Sequence, residues 1–285
     1  MKKILLQTTI PYTLDDWNIG CFSMLAEYLD GLKGPKGEKL FSVTARNREN
    51  VANGDDPVLS KLDEADFAQV WLFGVDIGNG LTGNDCGAIG RFRKRGGGIL
   101  TTRDHQDLGI SFCTLGGVGA AHHFHSKHPE DDPGRRVNDD AQSPNITWPN
   151  YHSGSNGDYQ EIRPADPVHP VMANPENPSG VIEQLPAHPH EGAISPPSGS
   201  QARVIATGKS KLTGREFNIA IAFGGNGFGR AIADSSFHHF CDYNLDPSKG
   251  CPSFVTEPPG RGMLENPAAM KDTRVYFRNL AMWLS

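Results

Sequence analysis

Short apolar runs alternate with helical stretches through the first hundred residues, and this alternation narrows the folds open to the chain. Residues 3–10, 40–45, 67–75 and 99–102 have strand character, the last entered through Gly96-Gly97-Gly98. Residues 18–29 place Ile19, Phe22, Leu25, Ala26 and Leu29 at helical spacing, with Cys21 inside that helix, and residues 86–95 read as a second helix. Strands separated by helices pair in parallel with helices on both faces, so the sequence predicts a doubly wound α/β fold with a mostly parallel sheet. Strand character returns at 203–207, 217–223 and 230–233. The glycine-rich run 224–229 lies between two of these strands instead of opening a helix, which predicts a hairpin turn and not a phosphate cradle. A final helix takes Pro267 in its first turn and carries Tyr276, Leu280, Trp283 and Leu284 as an apolar stripe.

From residue 116 to about 200 the pattern breaks into a stretch dense in Pro, Gly, Asn, Asp and His. A loop region that long inside a compact domain is either functional or disordered, and Phe124, Trp148, Tyr151 and Tyr159 favour ordered, functional loops. The expected organisation is one domain over 1–285 with a histidine-rich loop insertion at about 116–200.

A net charge of -6 and a pI near 6.0 argue against a nucleic-acid partner, whose binding draws on clustered Lys and Arg. The one basic run, Arg91, Arg93, Lys94 and Arg95, suits the negative end of the 86–95 helix. No segment approaches the ~20 apolar residues of a membrane helix, and Met1-Lys2-Lys3 leads into a strand, not a signal peptide. A soluble, cytoplasmic protein with a small-molecule substrate is expected, with no nucleic-acid or membrane partner; a homo-oligomer is compatible with the sequence. The five cysteines (Cys21, Cys86, Cys113, Cys241, Cys251) are widely spaced without a C-x-x-C pair and read mostly as buried thiols.

All eleven histidines follow residue 104, most of them in four polar clusters: Arg103-Asp104-His105-Gln106-Asp107, His122-His123-Phe124-His125, His188-Pro189-His190-Glu191 and His238-His239-Phe240-Cys241-Asp242. Imidazole titrates near neutrality and ligates metals, so such clusters serve proton transfer or metal binding. The first cluster follows strand 99–102, and open parallel sheets bind ligands at the carboxyl ends of their strands. Packing explains a charged elbow there poorly; the bland alternative is an Arg–Asp pair that caps a helix or holds a loop. If strand 230–233 continues, His238 and His239 face opposite sides and only one enters the site. Asp242 then orients a histidine, binds a metal or caps the following turn.

Pro189 favours an extended segment with His188 and His190 on one side, a geometry for capturing one divalent metal, zinc or iron, with Glu191 beside them. No H-E-x-x-H occurs, so metal ligands would come from separate loops; otherwise the imidazoles line a polar pocket. Residues 148–160, including Tyr151, His152 and Asn156, mix aromatic, amide and hydroxyl groups as sugar-binding loops do, and as well-capped surface loops do.

The elbow after Gly96-Gly97-Gly98, the Gly229-Arg230 strand running into His238-His239 and the terminal Met282-Trp283-Leu284 together resemble the ThuA-like (trehalose-utilisation) branch of the class I glutamine amidotransferase-like superfamily. The resemblance covers about 1–112 and 203–285. It implies a flavodoxin-like sheet flanked by helices and a link to sugar metabolism. It also exposes a departure: where the amidotransferases carry a nucleophilic cysteine, this chain has Thr102-Arg103-Asp104-His105, which disfavours glutaminase chemistry. Cys113 and Cys241 are the remaining thiol candidates, and inert packing is their commoner role.

Two functions of different class follow. One is an enzyme for a small polar, carbohydrate-like substrate, working by acid–base hydrolysis, hydration or isomerisation with or without a metal. In it Arg103, Asp104, His105 and His239 are catalytic, Arg103 holding an anionic or oxyanionic group, while Gln106, His123, Tyr151, His152, Asn156 and His238 bind substrate and His188, His190 and Glu191 hold the metal. The other is a non-catalytic ligand-binding or assembly protein on the same fold. The common-site version requires the elbow, the His188 loop and the His238 strand end to converge on one cavity.

Overall fold

The structure, a computed structural model, describes residues 1–50, 53–139, 143, 145–225 and 227–285; Asn226, in the turn expected at 224–229, lies outside the described residues. The main strands and helices follow in the order β1 (Lys2–Thr8), α1 (Ser23–Asp30), β2 (Phe41–Arg46), β3 (Gln69–Phe73), α2 (Gly83–Lys94) and β4 (Gly98–Thr102). Then come β5 (Tyr159–Glu161), β6 (Arg163–Pro164), β7 (Gln184–Pro186), β8 (Arg203–Lys209), β9 (Glu216–Phe223), β10 (Ala231–Asp234), α3 (Asp242–Leu245), α4 (Gly262–Glu265) and α5 (Pro267–Trp283).

One eight-stranded sheet runs β2-β1-β3-β4-β10-β9-β8-β6. Its first five strands are parallel, in the spatial order of a flavodoxin-like sheet, and the last three are added antiparallel. Side chains alternate across it: Ile4, Leu6, Trp71, Phe73, Leu100 and Ile232 pack with α1 and α5, while Leu5, Val70, Leu72, Ile99 and Ala231 pack with α2. Burial on both faces is what turns these strands into near-continuous apolar runs. No helix among the described residues is long and apolar enough to cross a membrane.

Three expected boundaries move. Residues 18–29 split into a 3-10 turn, Ile19–Phe22, which contains Cys21, and α1. The break has a long-range cause, because the Asp242 carboxylate accepts the Ser23 and Met24 N–H groups and caps α1 from outside. Strand β10 ends at Asp234 instead of running into His238, and Phe237–His239 is a 3-10 turn. Leu284 follows α5 as its C-cap.

For the site, the decisive register is β4 against β10: Ile99 pairs with Ala231 and Thr102 with Asp234. Both strands therefore end level, which sets the elbow at Arg103 beside Ser235. The insertion lies over this edge, burying Phe124, Trp148, Val171, Ile182 and Leu185 and contributing the small β5–β7 pair.

Candidate functional site

The first residues beyond β4 form the centre. Asp104 is 2% exposed, and three chain segments bring imidazoles to its carboxylate. His105, its neighbour, places Nδ1 2.9 Å from Oδ2; His188, from the insertion, places Nδ1 3.4 Å from Oδ1; His238, beyond β10, places Nε2 3.6 Å from Oδ2. The rings of His188 and His238 stack at 3.5 Å, and His190 stands edge-on to both His188 and His105 at 5.1 Å. The three segments thus meet at Asp104, in a buried cluster and not around an open cavity.

Hydrogen-bond partners assign the tautomers. Asn244 donates through Nδ2 to Asn156 Oδ1 and the Ala187 carbonyl, so its Oδ1 must accept, and His238 Nδ1 donates to it at 2.7 Å. A neutral His238 therefore turns an unprotonated Nε2 toward Asp104. His188 Nδ1 accepts the His190 N–H at 3.0 Å and is unprotonated as well. Burial and the adjacent His238 keep the His188 imidazole neutral well below its ordinary range. Burial works against the charge on Asp104, and His105 beside it holds the carboxyl well below the usual range. Its Oδ1 is buried with no hydrogen-bond partner.

Access comes through His105, whose side chain keeps 19% exposure. With Nδ1 on Asp104, its Nε2 is the ring nitrogen left for other partners. Gln106, half-buried beside it, spends its amide on Asn145 O and Thr147 Oγ1 at 3.2 and 3.0 Å. Trp17, on the loop after β1, packs edge-on against His238 at 4.9 Å. An open cavity of about 470 Å3 nearby is lined by Ser153, Asp158, Tyr159, Gln160, Lys209 and Lys211, and none of these imidazoles lines it.

Arg103 does not face this site. Its guanidinium is wholly buried, donates to the carbonyls of Asp104, Gln106 and His123, and lies 4.4 Å over the Phe124 ring. Burial lowers its pKa to about 9, still on the charged side at neutral pH. Arg103 thus staples the elbow to the insertion through its two Nη groups, both directed at main-chain oxygens.

His239 and Glu191 belong to a second, fully buried network. His239 Nδ1 meets Asp234 Oδ1 at 2.7 Å and its Nε2 lies 3.4 Å from Glu191. Burial opposes the charge, yet Asp234 and Glu191 push His239 up to about 10, so it is an imidazolium. Ser153, Gln160 and Ser235 donate to Glu191, and Tyr276 donates to Asp234 at 2.7 Å. Glu191, consumed there, is not beside His188 and His190. Nor is the 188–190 segment extended: it turns, which is how the His190 N–H reaches His188.

The other candidates are dispersed. His123 contacts Ser195 Oγ at 2.5 Å and stacks on His128, and His122 bonds Thr101 at 2.9 Å. Tyr151 has one ring face stacked on Phe217 at 4.8 Å and donates its hydroxyl to Arg135 O, leaving it buried. The backbone of His152 is held by Asp139, and Asn156 supports Asn244 behind His238. Asp242 is the α1 cap, and Cys113 and Cys241 are free thiols that burial pushes up, away from thiolate. Asn244, Trp17 and Asp234 escaped sequence reasoning; Asp234 alone carried a signal, as the last residue of a strand beside the histidines.

The chain matches no family profile and no curated protein. Among solved structures it is similar to a protein described as ThuA-like from Bacteroides uniformis, at 10% identity and TM-score 0.48, over 99% of this chain and 91% of that one. It is also similar to the CTP synthase glutaminase domain of Trypanosoma brucei, at 12% identity and 0.46 over 99% and 94%, and to the mmIFT52 N-terminal domain, at 10% and 0.45 over 87% and 93%. At such identity the likeness assigns no residue a role.

Proposed function

We propose that the protein is an enzyme for a small polar, carbohydrate-like substrate, acting by proton transfer through the Asp104–His105 pair. One observation carries this: His105 gives Nδ1 to a buried, ionised carboxylate at 2.9 Å and is the most accessible imidazole of the cluster around it. A carboxylate in that position fixes the ring's tautomer and stabilises the imidazolium formed when Nε2 takes a proton. Hydrolysis, hydration and isomerisation all need such a group. The test is turnover against a panel of sugars and keto-sugars. His105→Ala and Asp104→Asn should each lower any detected turnover by roughly 10²- to 10⁴-fold. Unchanged turnover in both variants overturns the proposal.

The tight burial of Asp104, His188 and His238 favours a second reading, a non-catalytic ligand-binding or assembly protein. Saturable binding of a panel sugar without conversion would select it.

A further inference from the structure

His238 turns an unprotonated Nε2 toward a buried carboxylate, and His188 Nδ1, which accepts the His190 N–H, stands at the other oxygen of that carboxylate. His188 Nδ1 and His238 Nε2 stand 3.4 and 3.6 Å from the Asp104 oxygens, too far for hydrogen bonds, and their assigned protons are on the opposite nitrogens. Asp104 Oδ1, inside this group, has no hydrogen-bond donor among the described residues. A buried carboxylate oxygen left unpaired is costly, and an unprotonated Nε2 facing the carboxylate adds repulsion. A cation between them removes both penalties.

We infer that Asp104, His188 and His238 are the ligands of a single divalent transition-metal ion. One donor atom from each fits within 4.8 Å of the other two. Ligand atoms about 2.0–2.2 Å from a tetrahedral zinc lie roughly 3.3–3.6 Å apart, the separation of His188 Nδ1 from Asp104 Oδ1, while the 3.6 Å contact of His238 Nε2 is to Oδ2. Two imidazoles and one carboxylate suit zinc or ferrous iron over magnesium or calcium, and three protein ligands leave a position for water or substrate. The donors come from separate segments, as the absence of a contiguous motif requires. The surroundings are those of a metal ligand: His238 donates its remote N–H to Asn244, which is itself fixed by Asn156 and Ala187, and His105 holds the far oxygen of Asp104.

Loading must rearrange one contact. A metal lies in the plane of the imidazole that binds it, so rings stacked 8° from parallel cannot both ligate as they stand. The ring of His188 has to turn out of the stack, giving up the single hydrogen bond from the His190 N–H.

The inference deepens the proposed function, resting on the same reading of Asp104 as the centre, but is decided separately. The chelator-treated full-length protein is titrated with Zn²⁺ and, as a spectroscopic probe, Co²⁺. One equivalent should bind, with visible Co²⁺ bands of a four- or five-coordinate site. His238→Ala and the isosteric Asp104→Asn should abolish those bands, while His125→Ala, an exposed histidine, leaves them unchanged. Asn244→Leu should weaken binding 10- to 100-fold. Far-UV circular dichroism identifies any variant that has not folded, and Asp104→Asn alone then decides. Absence of a one-equivalent site, or a site indifferent to both ligand variants, overturns the inference. Stoichiometric metal without sugar turnover removes the enzyme reading and leaves the metal site; turnover by protein that binds no metal does the reverse.

Discussion

At the scale of single residues, the same amino acids serve opposite ends depending on which face of a turn they take. His238 and His239 are neighbours, yet one looks into the Asp104 cluster and the other is an imidazolium clamped between Asp234 and Glu191. Sequence spacing indicated that the two would part and could not say which would enter, because the answer depends on where β10 stops. Arg103 was legible as an important residue but not as a staple, since its acceptors are carbonyls up to 20 positions away. Its role has a measurable consequence. Gln106 sits at φ 44°, a left-handed conformation costing a side-chain-bearing residue roughly 1–2 kcal/mol, and Arg103 donates to its carbonyl. Arg103→Met leaves three carbonyls short of a donor and should lower unfolding free energy by at least ~2 kcal/mol, read as a lower urea midpoint at unchanged slope.

At the scale of elements, the strands were readable because both faces of the sheet are buried, which writes a run of apolar residues for each. Helix α1 was only partly readable: its cap, Asp242, lies more than 200 positions away. The insertion was least legible, since its segments are held by irregular loop contacts and not by periodic burial. It meets the elbow closely at Gly192, where an added Cβ would stand 2.7 Å from Asp104 O and 3.0 Å from Ser235 O. Gly192→Ala should push the His188 loop off the elbow, lowering both thermal stability and metal affinity while the protein remains folded by circular dichroism. Elsewhere in the insertion His169 caps the 3-10 turn Pro170–Met172 and packs edge-on against Trp283 of α5. Burial, with Arg203 and Arg230 nearby, lowers it from 6.5 to about 4. Between those values the unfolded chain binds the proton that the folded chain refuses. The stability His169 contributes is therefore complete above pH 6.5 and lost as pH falls through 4. His169→Asn keeps a capping oxygen and should flatten that limb in unfolding midpoints measured from pH 7 to pH 4.

At the scale of the molecule, the site is a product of register. Because β4 and β10 end level, the elbow and the His238 turn lie side by side, and the insertion supplies the third wall. A parallel sheet with functional groups at its carboxyl edge was legible; the identity of the ligands was not, because tautomers and second partners such as Asn244 are decided by long-range contacts. The site, at β4 and β10, stands two strands beyond the β1–β3 reversal, where open sheets of this order commonly bind ligands. The central claim is that Asp104, His188 and His238 act together on one ion. An anomalous-difference map at the zinc edge, from crystals grown with one equivalent of zinc, tests it directly. A single peak bonded to all three side chains, with the His188 ring turned out of its stack, is the predicted result; no peak there, or peaks only at exposed histidines such as His125 and His128, would contradict it.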